Sequence, residues 1–373
     1  MTGKQLFLWT AGLCLCGWLA GCSGSGGADA FGRTLSAPEP DGDGEINVLL
    51  YYDMEGISGQ KDIRSLSFGN PEYESARVWL TNDVNAVIEG LFAGGADGVD
   101  VVDAHGSGNP DPDVLVEHLD RRAVLMARDR PFRPYVDLTE KGRYDAVAVV
   151  CMHSRTGGGG FAAHTYTLGM DWILNDMPVN ETEIIAYSWG RAGVPVVFAS
   201  GDDTLRDQLA WMTWLEYVTV KTARGAGDAD VRPFPEVHAE MKALAEKSIK
   251  NRAAARAVRL KGPIKAQLHA VYPASLSILE GVPGIDFGDQ TVTFQAADFD
   301  EAYDGIEALI RVAAGNYMSL LRQAVRRHES ARAIFRDFGS TLDRVWVEVE
   351  SGKWTPPPPA DPAPRAGGYF GVR

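Results

Sequence analysis

Two hydrophobic rhythms alternate along this chain from residue 45 onward. Ile46-Asn47-Val48-Leu49-Leu50-Tyr51-Tyr52 is a short apolar run, the pattern of a strand buried on both faces. The pattern returns at 98–102, 145–151 and 194–199. After the first run, Asn70-Pro71-Glu72 marks a helix start, because proline at the first helical position lacks an amide that would have no partner there. Val84, Val87, Ile88, Leu91 and Phe92 continue at helical spacing until Gly94-Gly95 stops them. Residues 181–191 read as a helix between the third and fourth strands. Strands alternating with helices predict an α/β fold, with a largely parallel central sheet flanked by helices, over 45–225.

A second, smaller α+β region is expected over 226–335. It holds a helix at 235–255, strands at 264–272 and 291–296, and a long helix opened by Asp298 and Glu301 that runs to about Ala324. Residues 336–373 read as a C-terminal extension. It ends in the proline-rich stretch from Trp354 to Pro364, which is polyproline-like and has no fold of its own.

The amino terminus carries an address. Residues 5–20 are apolar behind Lys4, too short and too weakly flanked for a membrane span, and 1–21 read as a signal peptide. Leu19-Ala20-Gly21-Cys22 resembles the lipobox of bacterial lipoproteins, which implies lipid attachment at Cys22. The stretch 22–44, rich in Ser, Gly, Ala and Pro, is then a flexible tether. The expected location is extracytoplasmic, held to a bacterial membrane through the lipid anchor only and facing the periplasm where the cell has an outer membrane.

Composition changes this picture in three places. With 45% hydrophobic and 23% charged residues in 373, the chain is globular and not disordered. With 36 Lys plus Arg against 50 Asp plus Glu, its net charge is −14, and no nucleic acid is expected as a partner. Three of the four cysteines lie in the first 22 residues, leaving Cys151 alone in the folded part, with no disulfide framework and no CxxC zinc pattern.

The candidate chemistry sits after the strands. The first ends at Asp53-Met54-Glu55-Gly56, the second at Asp103-Ala104-His105-Gly106 and the third at Met152-His153. In an open parallel sheet these carboxyl ends share one edge, where ligands bind. That edge would gather Asp53, Glu55, His105 and His153. Two carboxylates and two imidazoles suit zinc or a similar divalent ion. Without a cation, carboxylates ~4 Å apart repel by about 4 kcal/mol at an effective dielectric near 20. One must then protonate or a cation must enter. Taken singly, each residue has a plainer reading as a turn, cap or satisfied polar group, and only the joint placement points to a metal. His118, His238, His269 and His328 fall outside the cluster and read as surface or packing residues. Asp202-Asp203 read as helix caps, Gly157 to Gly160 as a connecting loop, and Cys151 as a small buried residue.

Asp53-Met54-Glu55-Gly56-Ile57-Ser58-Gly59 and Val102-Asp103-Ala104-His105-Gly106 resemble the zinc-dependent D-aminopeptidases of the DppA type. So do His153 and His164 within CMHSRTGGGGFAAHTY, Asn175-Asp176-Met177-Pro178-Val179-Asn180-Glu181, Gly201-Asp202-Asp203 and Thr293-Phe294-Gln295-Ala296. The likeness runs from about residue 46 to 320. It implies two Zn2+ per subunit, with other divalent metals as alternatives, and short D-amino-acid-containing peptides as substrates. It also implies a ring-shaped homo-oligomer. Carried over by position, Asp53 would bridge both ions, Glu55 and His153 would complete one, and His105 and Glu181 the other. His164 matches the family's proposed nucleophile. Two divalent ions bring a charge of +4 against −3 from Asp53, Glu55 and Glu181, and such a centre acidifies water and polarises a scissile carbonyl. Because the metals already supply a nucleophile, chemistry favours proton transfer for His164, and both roles stay open. Cys151-Met152 before His153 and Asn180 before Glu181 depart from the family pattern without removing a ligand. A two-metal phosphoesterase and a non-catalytic lipoprotein that binds cell-wall peptides are the rival readings.

Overall fold

The computed structural model describes residues 27–355 except 41, 43, 110, 127–132, 134, 272 and 273. The signal peptide, Cys22 and the proline-rich tail from 356 lie outside the described residues. Among the described residues, no helix is long and apolar enough to cross a membrane.

The chain begins with β1 (Arg33–Ser36), β2 (Asn47–Tyr52), α1 (Pro71–Ala93), β3 (Gly98–Asp103), β4 (Val124–Leu125) and β5 (Ala146–Met152). It continues with β6 (Met170–Leu174), β7 (Met177–Pro178), α2 (Glu181–Arg191), β8 (Val196–Asp202), α3 (Asp203–Gln208), β9 (Glu216–Gly225) and β10 (Asp228–Val231). It closes with α4 (Phe234–Lys250), β11 (Ala257–Leu260), β12 (Ile264–Ala270), β13 (Asp286–Gly288), β14 (Thr291–Ala296), α5 (Phe299–Arg326) and α6 (Ala331–Glu350).

The central sheet has the order β10-β9-β8-β5-β2-β3-β4. All its neighbours run parallel except β10, which pairs antiparallel with β9. This is the expected α/β fold with a largely parallel sheet flanked by helices. Side chains alternate across β2: Leu49 and Tyr51 enter one apolar layer, and Val48, Leu50 and Tyr52 the other. Both faces are covered, which is why the run is unbroken in the sequence. Helices α1 and α4 cover one face, and Gly90 of α1 fits against the backbone of α4, where a Cβ would meet Lys242 O at 2.3 Å. Helix α2 and the antiparallel sheet β13-β14-β12-β6-β7 cover the other. Strand β1 lies within the expected tether 22–44 and pairs with β11 in a separate ribbon, so that part of the stretch belongs to the fold.

Position 226, the expected start of a second region, lies in the turn between β9 and β10 of the central sheet. Helix α4 then returns to pack on α1. The hairpin β6–β7, the pair β9–β10 and helix α6 were not read from the sequence. The position after 335 falls inside α6. Helix α5 starts as expected: Asp298 accepts from Glu301 N at 3.0 Å, and Glu301 reaches back to Ala297 N at 2.7 Å.

The sheet order decides where chemistry can happen. Strand β2 passes through α1 to β3 on one side and has β5 on the other. The chain therefore winds away from β2 in both directions, and a crevice opens at the carboxyl ends of β3, β2 and β5.

Candidate metal centre

The loop after β2 is drawn across the end of β5. Asp53 N donates to Val150 O at 3.0 Å and Gly56 N to Cys151 O at 2.7 Å. This close approach explains the glycine at 56: a Cβ there would lie 2.2 Å from Met152 O and 2.5 Å from the Cys151 carbonyl carbon. Gly106, by contrast, has open space around it. Replacing Gly56 with alanine is expected to destabilise the fold by about 1–3 kcal/mol through overpacking. Thermal unfolding checks this, and an unchanged melting temperature contradicts it.

Asp53, Glu55, His105, His153 and Glu181 are all buried, and His164 is nearly so. Asp53 Oδ1 lies 2.8 Å from His105 Nδ1, and its Oδ2 lies 3.3 Å from His153 Nε2. Glu55 Oε2 is 3.3 Å from His105 Nδ1, and Glu181 Oε1 is 3.5 Å from His153 Nε2. Candidate metal-binding groups form around Asp53-Glu55-His105, Asp53-His153-Glu181 and Glu55-His153-His164, with ligand atoms in each within 4.8 Å of one another.

Asp53 is thus common to two groups. Glu55 also belongs to two, one with His105 and one with His153 and His164, while Glu181 groups with His153. Strand β2 lies between β3, which leads to His105, and β5, which leads to His153.

Glu181 arrives from a third direction. Asn180 caps α2, accepting from Glu183 N at 2.9 Å while Glu183 bonds back to Asn180 N at 3.1 Å. This capping box sets Glu181 at the first helical position, facing the crevice. The departure at Asn180 therefore has a structural use. Tyr166 N donates to Glu181 Oε1 at 2.6 Å, and the Tyr135 hydroxyl donates to its other oxygen.

The imidazoles show whether a cation fits. His153 Nδ1 donates to Ser154 O at 3.0 Å, leaving Nε2 as its lone-pair nitrogen. That Nε2 is buried and, among the described residues, makes no hydrogen bond. His105 Nε2 donates to Leu66 O at 2.9 Å, which turns Nδ1 onto Asp53. A lone pair against a carboxylate needs a proton or a metal between them. Backbone carbonyls holding the outer nitrogens are the arrangement that orients histidine metal ligands. The residues present therefore fit a pair of divalent cations.

Electrostatics agree. Burial works against the Asp53 carboxylate, but His105 and His153 outweigh it and hold the carboxyl well below its usual range. Burial also works against charge on His105 and His153, yet the carboxylates, Glu55 foremost for the first and Glu181 for the second, hold both well above 6.5. The site demands positive charge.

His164 stacks on His153, with ring centres 4.0 Å apart and planes 15° from parallel. Its Nδ1 donates to Ala162 O at 2.9 Å, so the neutral ring presents an Nε2 lone pair. Burial and then the His153 charge push its pKa down. Together with Asp53, Glu55, His105 and Glu181 it lines a cavity of about 200 Å³.

The other expected residues lie elsewhere. Asp202 caps α3, accepting from Leu205 N at 2.8 Å and Phe161 N at 2.8 Å. His238 bonds buried Asp83 at 2.7 Å, and His269 bonds Thr291. Cys151 is buried, forms no disulfide, and its thiol donates to Asp83 Oδ2 at 3.5 Å. Sequence reasoning missed four contributors. Tyr135 reaches Glu181. Buried Lys221 supports the loop by donating to Glu55 O at 2.8 Å and Gln60 Oε1 at 2.9 Å. Asp343 and Trp346 of α6 line the cavity. The signal for α6 was present in Ile334, Phe338, Leu342 and Trp346, spaced four apart on one helical face.

The comparisons with known proteins point the same way. Residues 46–308 match the M55 peptidase family, described as D-aminopeptidase. A D-aminopeptidase of Bacillus subtilis strain 168 is 32% identical over 160 residues, covering 42% of this chain and 57% of that protein. The matched region thus spans under two thirds of that relative's length. A solved structure of a Zn-dependent D-aminopeptidase, DppA from Bacillus subtilis, described as a self-compartmentalizing protease, shares the fold with a TM-score of 0.66. It is 24% identical, and the match covers 73% of this chain and 99% of that one.

Proposed function

The chain belongs to the M55 family of D-aminopeptidases, and from that premise we propose that it is a two-zinc aminopeptidase. It would remove amino-terminal D-residues from short peptides. The observation that carries this reading is Asp53, set between two groups of ligand-type side chains that converge from three strand ends and one helix start. Asp53, Glu55 and His105 would hold one ion, and Asp53, His153 and Glu181 the other. When bound, such a pair supplies Lewis acidity toward the scissile carbonyl and toward water.

The chain's own residues do the rest. His164 Nε2 faces the cavity, its ring fixed by the stack on His153 and the bond to Ala162 O. Held mostly neutral near pH 7, it can take a proton at Nε2 and return it to the leaving amine. Trp346 Nε1 donates to Ala163 O at 3.0 Å and sets its ring edge-on to His164 at 5.3 Å, which keeps the loop from swinging away. Leu66, Trp346 and the half-buried Leu168 help to wall the cavity and exclude water.

The match to a D-aminopeptidase family over residues 46–308 favours amide chemistry over a two-metal phosphoesterase. The placement of His164 favours turnover over mere binding. We place the protein outside the cytoplasm, lipidated at Cys22 and assembled as a homo-oligomer. Peptidoglycan-derived D-alanyl peptides are its proposed substrate.

Zinc-loaded protein is expected to cleave D-Ala-D-Ala, to leave L-Ala-L-Ala and phosphate esters largely untouched, and to stop when a chelator strips the metal. Hydrolysis confined to L-peptides overturns the substrate assignment. Hydrolysis confined to phosphate esters overturns the reaction class.

A further inference from the structure

The family match ends at residue 308, and α6 begins at Ala331. This helix nevertheless walls the reaction cavity. Asp343 and Trp346 are three residues apart, on one helical face, and both line it. Trp346 is occupied with the His164 loop. Asp343 has no such task.

Asp343 is 7% exposed. Its Oδ2 accepts one hydrogen bond, from Ser67 Oγ at 3.3 Å. Among the described residues no Lys or Arg forms an ion pair with it and no second donor reaches it. A carboxylate has about four acceptor sites, and a buried one is costly unless paired. Burial raises its carboxyl to about 6 while Ser67 pulls the other way, so it is largely ionised at neutral pH.

Its surroundings narrow the choice of partner. Four carboxylates line the cavity, and Asp53, Glu55 and Glu181 belong to the metal groups. Asp343 is the one left over. The lining holds no Lys or Arg among the described residues, and His105, the cationic group that acts on Asp343 there, is turned onto Asp53, so a cationic ligand group is the partner that Asp343 fits. Asp343 is also registered to the metal site through consecutive residues: Leu66 O holds His105, and Ser67 holds Asp343.

We propose that Asp343 anchors the free α-ammonium group of the substrate, which makes α6 the element that restricts this site to peptides with an unblocked amino terminus. The proposal rests on the aminopeptidase reading above and adds to it the residue that reads the terminus. An ammonium forms a charge-assisted hydrogen bond with Asp343. An acylated or desamino terminus leaves the carboxylate unpaired and desolvated, and is rejected for that reason.

The test compares D-alaninamide with propanamide, its desamino counterpart, by titration calorimetry on zinc-loaded wild type, Asp343→Asn and Asp343→Ser. Asparagine keeps the shape and an acceptor for Ser67 while removing the charge. Wild type is expected to prefer the amine by about 10- to 100-fold. Both variants should bring the preference near unity with zinc content unchanged, because D-alaninamide loses its charged partner and propanamide no longer leaves a buried carboxylate unpaired. Wild type without the preference, or variants that keep it, overturn the proposal. The two readings fail separately. An Asp343-dependent preference in a protein that cleaves no peptide leaves the anchor standing and removes the aminopeptidase reading. Peptide cleavage with an unchanged preference in the variants does the reverse.

Discussion

Asp53→Asn protein is expected to purify with less than about half a zinc per chain and to lose at least about 10³-fold in peptidase activity. The substitution keeps the shape of the side chain, so the fold should persist. What changes is charge at the point where two ligand groups meet. Changing a residue that merely orients a ligand costs about 10- to 100-fold in metal affinity. Loss of a shared ligand therefore exceeds that for both ions together. The neutral amide also removes the one carboxylate charge that both His105 and His153 face, since each lies against one oxygen of Asp53. Elemental analysis beside a peptide assay checks both halves. Full metal content in the variant contradicts the bridging role.

His164→Gln separates metal binding from turnover. Zinc content should stay at the wild-type value, because Asp53, Glu55, His105, His153 and Glu181 all remain. Activity should fall by about 10²–10⁴-fold, the usual contribution of a positioned proton-transfer group. The loss should appear in kcat with little change in KM, since the imidazole acts on the reacting atoms. Steady-state kinetics with metal analysis on the same preparation decide it. Loss of one zinc in this variant would instead place His164 among the ligands, which its grouping with Glu55 and His153 makes a definite alternative outcome.

Much of the site was legible in the sequence because its logic is local. An unbroken apolar run that stops at Asp53-Met54-Glu55 marks both a buried strand and the place where it meets the crevice. The same holds for His105 after β3 and His153 after β5. The helix starts were legible for the same reason, since proline at Pro71 and the acids after Asp298 act within one turn of themselves. Asn70 is a partial exception: it occupies the cap position without a side-chain cap bond.

What escaped the sequence depends on sideways order or on long returns of the chain. That Asp53 meets His105 on one side and His153 on the other follows from β2 lying between β3 and β5. Periodicity carries no information about which strand lies beside which. Trp346 reaches a loop 183 residues before it, and Lys221 supports a carbonyl 166 residues away. The four-residue spacing of α6 marks it as an amphipathic helix but not the surface it covers. Tyr135 sits near β5 with no local signal at all, and only the fold turns its hydroxyl toward Glu181.

The central claim is that separate strand ends cage two cations around one shared carboxylate. Anomalous diffraction at the zinc edge from crystals of the zinc-loaded protein tests it most directly. Two peaks roughly 3.5–4 Å apart are predicted, both touching Asp53, one beside Glu55 and His105 and the other beside His153 and Glu181. A single peak, or peaks that leave Asp53 uncoordinated, would contradict the account.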